Sequence, residues 1–340
     1  MAPSSTATDT EAYVEDFTIR SLREALLPNA DTPLSRCYRA LFSLKSLASA
    51  APPTPQTLPA IRAIAAGFSS KSALLKHEVA YCLGQTRNAA AIPYLKAVLQ
   101  DREEDAMCRH EAAEALGALG DTESLDLLRQ FRDDKEEKAV VRETCEIAVA
   151  RLEWEQRNEE KPYASVFASI DPAPPLLQAS QELSIPDLQA TLLNTKLPLF
   201  HRYRAMFALR DLSSPPDLPT AVPAIEALAA GFQDASALFR HEIAFVFGQL
   251  SHPASIPYLV STLSNMKEAS MVRHEAAEAL GGLGNEAGVE EVLKNFLSDE
   301  DTVVRESVVV ALDMAEFEKS GELEYALIPK KEDILDAGAE

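Results

Sequence analysis

The dipeptide His-Glu occurs four times in the chain, at His77-Glu78, His110-Glu111, His241-Glu242 and His274-Glu275. Only two of the six histidines, His201 and His252, stand outside it. The spacing also repeats: 33 residues separate His77 from His110, 33 separate His241 from His274, and 164 separate each member of the first pair from its counterpart. Imidazole beside carboxylate is a metal-ligand set. Nitrogen and oxygen donors without thiolate suit iron, manganese or zinc. Two histidines and one carboxylate per metal, with positions left open, is the pattern of oxygen-activating non-haem iron. Zinc hydrolysis is open to the same donors, whereas calcium and magnesium call for oxygen ligands. No serine or cysteine nucleophile with a nearby base is visible as a motif, and the glycines of "GALG" and "GGLG" end helices instead of opening a phosphate loop.

The elements that carry these pairs follow from the periodicity. In "MCRHEAAEALGALG", starting at Met107, Ala112, Ala115, Leu116 and Leu119 form an apolar stripe, with His110, Glu111 and Glu114 on a different side. His-Glu near a helix start is electrically apt, because the macrodipole favours ionised Glu and neutral His, the forms that bind metal. A preference for Glu in the first turn would account for the glutamate but not for the histidine.

The same phrase returns as "MVRHEAAEALGGLG" at Met271, and "LKHEVAYCLGQ" at Leu75 returns as "FRHEIAFVFGQ" at Phe239. "SRCYRALFSLKSL" at Ser35 and "AVVRETCEIAVARLE" at Ala139 also have counterparts, all 163 to 165 residues on. The chain is a duplicated half, and each half holds shorter units that read as helix, turn, helix. The units resemble HEAT repeats, so the expected fold is all-α: an α-solenoid of about eight helical hairpins in two pseudo-symmetric halves. The expected organisation is a disordered start at 1–10, a first half at 11–155, a proline-bearing linker at 156–180, a second half at 181–320 and a tail at 321–340. The second helix of each hairpin should line the concave surface, so His77 should meet His110 and Glu111, and His241 should meet His274 and Glu275. Halves that face one another would hold two metals close together.

Bulk composition agrees. Aromatic residues are 6% of the chain while Ala and Leu dominate, which favours packed helices over sheets. The net charge of −21 repels nucleic acid and anionic lipid and attracts basic partners, although acidity can also serve solubility alone. The cysteines, Cys37, Cys82, Cys108 and Cys145, form no CxxC pair and read as buried thiols. No signal-like or membrane-spanning apolar run is present, so a soluble cytoplasmic protein is expected.

Taken together, the eight units, the four-fold His-Glu set, "RHEAAEALG" twice and "YASVFASIDPAPP" between the halves resemble the deoxyhypusine hydroxylase family, from about Thr10 to Glu318. The resemblance implies a di-iron monooxygenase that uses O2 and an external reductant. Its substrate would be the deoxyhypusine side chain of eukaryotic translation initiation factor 5A, a basic protein, converted to hypusine. It implies iron ligation by His77, His110, Glu111, His241, His274 and Glu275. Glu78 and Glu242 would be catalytic through gripping the substrate. A location in the cytoplasm and nucleus is expected, with no nucleic-acid or membrane partner given the acidic surface, and a monomer because the duplication already provides the two-fold symmetry of a dimer. Lys76 stands where the other three units have Arg, a departure outside the ligand set. Met107 and Met271 read as packing residues beside the metals, and Arg39, Arg142, Arg204 and Arg305 as a ladder pairing with neighbouring carboxylates. Three other readings compete: a metal-free scaffold that binds a basic protein, a bilin lyase on a similar repeat fold, and a zinc hydrolase.

Overall fold

The computed structural model describes residues 17–27, 32–157, 166–176, 184–320 and 325. Among them are sixteen α-helices and no strand, arranged as eight antiparallel hairpins. The first half comprises α1 (Phe17–Leu26) with α2 (Leu34–Ala48), α3 (Thr57–Ala66) with α4 (Ala73–Gln85), α5 (Ile92–Gln100) with α6 (Ala106–Ala118), and α7 (Leu125–Asp133) with α8 (Ala139–Arg157). The second half repeats the order with α9 (Ile185–Leu193) and α10 (Leu199–Leu212), α11 (Ala221–Ala229) and α12 (Ala237–Leu250), α13 (Ile256–Ser264) and α14 (Ser270–Gly281), and α15 (Val289–Lys294) and α16 (Thr302–Ser320). The expected linker begins inside α8, and its described part, 166–176, is non-helical. The expected disordered start at 1–10 lies outside the described residues, as does the tail at 321–340 apart from Tyr325.

Two kinds of helix make the two layers. Outer α7 buries Leu125, Leu128 and Phe131 along one stripe, as an amphipathic surface helix does. Inner α6 buries ten of its thirteen residues, His110 and Glu111 included. The separate polar side expected for that helix is therefore itself enclosed, because the inner layer closes on itself. Even-numbered helices pack in sequence from α2 to α16, and α16 packs back on α2. The result is a ring with its interior largely filled, where the periodicity alone suggested an open concave face.

Two observations explain the close inner packing. A Cβ on Gly84 would lie 2.8 Å from the Ala115 Cβ, and one on Gly281 would lie 2.8 Å from the Ala311 Cα. Only glycine lets these neighbouring inner helices approach so closely. Ser72 and Ser236 cap the His-bearing helices α4 and α12 by accepting from the Leu75 and Phe239 N–H groups at 3.0 and 3.1 Å.

Each half has its own apolar core, with a reciprocal exchange. Val310 of α16 belongs to the core of the first half, and Ile147 of α8 to that of the second. The capping serines repeat this exchange in polar form: Ser72 donates to Glu306 of α16, and Ser236 donates to Glu143 of α8, each at 2.6 Å.

Of the arginines expected to form a ladder, one pairs with a carboxylate as expected, and a more regular ladder is carried by other residues. Arg39 pairs with Asp313 at 2.8 Å, but Arg204 donates to the carbonyls of Pro174 and Pro175, and Arg305 to those of Asp299 and Glu300. Nε of Arg142 is buried without a partner. The regular ladder belongs to the residue before each histidine. Lys76 pairs with Glu104 at 2.5 Å, Arg109 with Glu137 at 2.7 Å, Arg240 with Glu268 at 2.6 Å and Arg273 with Asp299 at 2.5 Å. Each ties an inner helix to the turn of the next hairpin, which explains why the position must be basic and why lysine serves there.

Candidate metal centre

His77 on α4, His110 on α6, His241 on α12 and His274 on α14 meet where the halves face each other. Ring centroids are 5.3 Å apart for His77–His110 and for His241–His274, the two pairs within halves. Across the halves they are 5.3 Å for His77–His274, 5.5 Å for His110–His241 and 5.9 Å for His77–His241. Glu111 Oε2 lies 3.4 Å from His77 Nε2, and Glu275 Oε2 lies 3.3 Å from His241 Nε2. Both contacts join side chains of adjacent repeats in the same half. Glu78 and Glu242 are buried in the same cluster, so all eight residues singled out by the dipeptide converge.

This cluster fits a metal. Both ring nitrogens of all four histidines are buried with no hydrogen-bond partner. Leaving a buried polar atom unsatisfied costs about 1–3 kcal/mol, so eight such atoms in one place point to ligation. The donor atoms form three groups of three within 4.8 Å of one another: His77, His110 and His241; His241, His274 and Glu275; His110, Glu111 and Glu114. Imidazole with carboxylate and no thiolate is the donor set of iron, manganese or zinc.

Two participants were not assigned from the dipeptide. Glu114 and Glu278 follow His110 and His274 by one helical turn, and the Glu278 Oε1 lies 3.6 Å from the His274 Nδ1. Their signal was present in the repeated "RHEAAEALG", which places a second glutamate on the His-Glu side of each helix. At the corresponding turn of α4 and α12 stand Tyr81 and Phe245, whose rings meet edge to face at 6.1 Å. A cavity of about 310 Å³ borders the cluster and is lined by all six of its glutamates and by Glu318, with Phe42, Tyr81, Phe245 and Met314 as apolar wall.

Burial governs the charge states. It pushes the Glu78 carboxyl up to about 7 and those of Glu111 and Glu114 up to about 8. Glu242 and Glu278 are also raised, first by burial and then by neighbouring carboxylates. Burial lowers His77, and it holds His110 and His274 well below the ordinary imidazole value with help from the neighbouring histidines. His77, His110 and His274 are therefore neutral and ready to ligate, while the carboxylates favour a cation among them.

Met107 is buried in the core and Met271 packs against both cores; neither lines the cavity. His201 is exposed, and His252 caps a short turn by accepting from the Ala254 N–H. The cysteines are free and buried, and among the described residues no helix is long and apolar enough to cross a membrane.

Comparison with known proteins agrees with the repeat pattern. HEAT repeats match at residues 58–150 and 225–313. The deoxyhypusine hydroxylase of Phaeosphaeria nodorum is 67% identical over 323 residues, covering 94% of this chain and 98% of that protein. That of Coccidioides immitis is 70% identical over 305 residues, covering 89% and 91%. The structure of human deoxyhypusine hydroxylase in complex with glycerol aligns with a TM-score of 0.78 at 44% identity, covering 88% of this chain and 96% of that one. With near full-length identity to enzymes of one name and one architecture, the chain belongs to the deoxyhypusine hydroxylase family of enzymes.

Proposed function

We propose that this protein hydroxylates the deoxyhypusine side chain of eukaryotic translation initiation factor 5A, giving hypusine, with two iron ions, O2 and an external reductant. The observation that carries this reading is the set of eight unsatisfied imidazole nitrogens beside a carboxylate-lined cavity. His77, His110 and Glu111 would hold one iron, and His241, His274 and Glu275 the other. When bound, the pair of irons supplies the reductive activation of O2 that an unactivated C–H bond demands. One oxygen atom enters the C–H bond to leave C–OH. The second leaves as water, with two electrons from the reductant and two protons.

The protein's own side chains bind and orient. The substrate arm carries two ammonium-type nitrogens. Seven glutamates line the cavity, so two divalent ions would leave negative charge there for these nitrogens to offset. Glu78 and Glu242 therefore grip the arm and position its reacting carbon. Phe42, Tyr81, Phe245 and Met314 pack on its methylene groups and exclude water. The charge of −21 suits a basic carrier protein. The internal duplication already completes the ring, which supports a monomer. The absence of a membrane-spanning helix among the described residues is consistent with the cytoplasm and nucleus.

Purified protein, ferrous iron, reductant and air should add the mass of one oxygen atom to the deoxyhypusine residue of the factor, with about two irons per chain by metal analysis. Undiminished turnover without O2, or full turnover with zinc alone, would overturn the reading.

A further inference from the structure

The duplication builds two equivalent grooves leading to the cluster, and they differ in what fills them. One runs between α2 and α4 on one side and α14 and α16 on the other. It is open, and Phe42, Glu78, Glu278, Gly282, Met314 and Glu318 line it. Their counterparts at the repeat offset are Phe207, Glu242, Glu114, Ala118, Arg151 and Glu155. The segment between the halves lies there. Asp171 and Ala173 are buried, and Pro172 meets Glu114, Gly117 and Arg151 around a residual void too small for a ligand.

The segment is held from both halves. Gln85 exchanges hydrogen bonds with Ile170, and its counterpart Gln249 donates to the Ser169 hydroxyl at 2.7 Å. The fully buried Arg210 donates to Asp171 at 2.7 Å and lies 4.2 Å from the Phe167 ring. Arg151 donates to the Asp171 carbonyl.

On the cluster side of this segment stands Glu242. That side chain is 2% exposed, lines the cavity and has an Oε1 with no hydrogen-bond partner. The charges it feels most come from Glu114 and Asp171. Glu78, by contrast, lies near Lys45, whose ammonium sits 5.2 Å from the Phe42 ring on the open side.

We infer that residues 167–173 plug the second groove, so that a substrate arm enters only between α2 and α16 and its terminal ammonium is received at a blind end formed by Glu242 and Glu114. Glu78 and Glu278 then hold the inner, secondary ammonium near the mouth, and the reacting methylenes lie between the two pairs beside the metals. This rests on the functional reading above and gives it a direction. A symmetric cluster with two open mouths would admit the arm from either side; the plug leaves one direction of entry.

The test is a pair of binding measurements on iron-loaded protein without O2. One probe is the factor carrying deoxyhypusine. The other carries a butyl group in place of the aminobutyl group, so it lacks only the terminal nitrogen. Wild type should bind the first about tenfold or more tightly than the second. Glu114→Gln and Glu242→Gln should bring that ratio close to one and leave the affinity for the butyl probe within about twofold. Glu278→Gln should weaken both probes alike and preserve the ratio. The two blind-end variants report on the same end, so a folding failure in one leaves the other to decide. If Glu278→Gln collapses the ratio as fully as Glu114→Gln does, the ends are equivalent and the plug sets no direction. If wild type binds neither probe, the substrate assignment itself fails.

Discussion

The two seams of the ring are made from duplicated sequence and are closed by different means. Between α2 and α16, Arg39 pairs with Asp313 across the join, the Tyr325 hydroxyl donates to the same carboxylate at 2.7 Å, and the pair is about a quarter exposed. At the seam between α8 and α10, residues 171–173 of the intervening chain lie buried, and the Arg210–Asp171 pair is 0% and 7% exposed. The metal-side residues kept the symmetry of the duplication and the seams did not. Duplication alone thus yields a matched set of donors, and what distinguishes one approach to them from the other comes from the segment that had no repeat counterpart.

The largest expected effect tests the part that is symmetric. His110→Ala and its counterpart His274→Ala should each lower hydroxylation by at least about 100-fold and reduce bound iron, by similar amounts, measured by turnover and metal analysis. A large inequality between them would show that the centre is less symmetric than its geometry.

The seams should respond unequally. Arg210→Met leaves Asp171 buried without its partner and should cost about 3–5 kcal/mol in denaturant unfolding. Arg39→Ala removes a partly solvated pair and should cost about 1 kcal/mol or less. Equal losses would contradict the contrast drawn here.

Smaller differences separate the halves. Gly84→Ala forces a methyl to 2.8 Å from the Ala115 Cβ, whereas Gly248→Ala meets Ala279 at an ordinary 3.4 Å. The first should destabilise by about 1–3 kcal/mol. The second should be neutral or stabilise by up to about 1 kcal/mol through helix propensity. Thermal unfolding of the two variants reads the difference.

The smallest effect concerns pH. In metal-free protein, Glu111 and Glu114 have folded-state values near 8, above their unfolded values, so the folded state holds their protons more tightly. Their stabilisation is complete at low pH and is lost as pH rises through 8. The lowered histidines act in the opposite sense, but only below their unfolded value of about 6.5. Metal-free protein should therefore lose a few degrees of melting temperature between about pH 6.5 and 8, and saturating iron should abolish that slope. A melting temperature that rises over this interval without metal would contradict these assignments.

Much of this was legible in the residues themselves. The 33-residue and 164-residue spacings define helical repeats and their duplication, and four His-Glu pairs on equivalent helices mark the centre. What escaped was tertiary in origin. Glu114 shares the His-Glu side of its helix in the sequence, yet nothing local says that the inner layer closes and buries it and Glu278 beside the cluster. Arg39 and Arg305 occupy equivalent-looking segments, yet which arginines form the ladder depends on which turn each faces. "ASIDPAP" read as a plain connector, since its burial depends on Arg210 and Arg151, neither of which is near it in the repeat pattern.

The reciprocal placement of Val310 and Ile147, with the matching serine contacts to Glu306 and Glu143, has a bearing on ancestry. A half-length forebear with these contacts would have covered the outer face of its terminal helix only by docking a second copy, so its integrity would have varied with expression level. Joining the copies in one gene replaces that second-order encounter with a tethered one, and each donor set becomes available at any dilution.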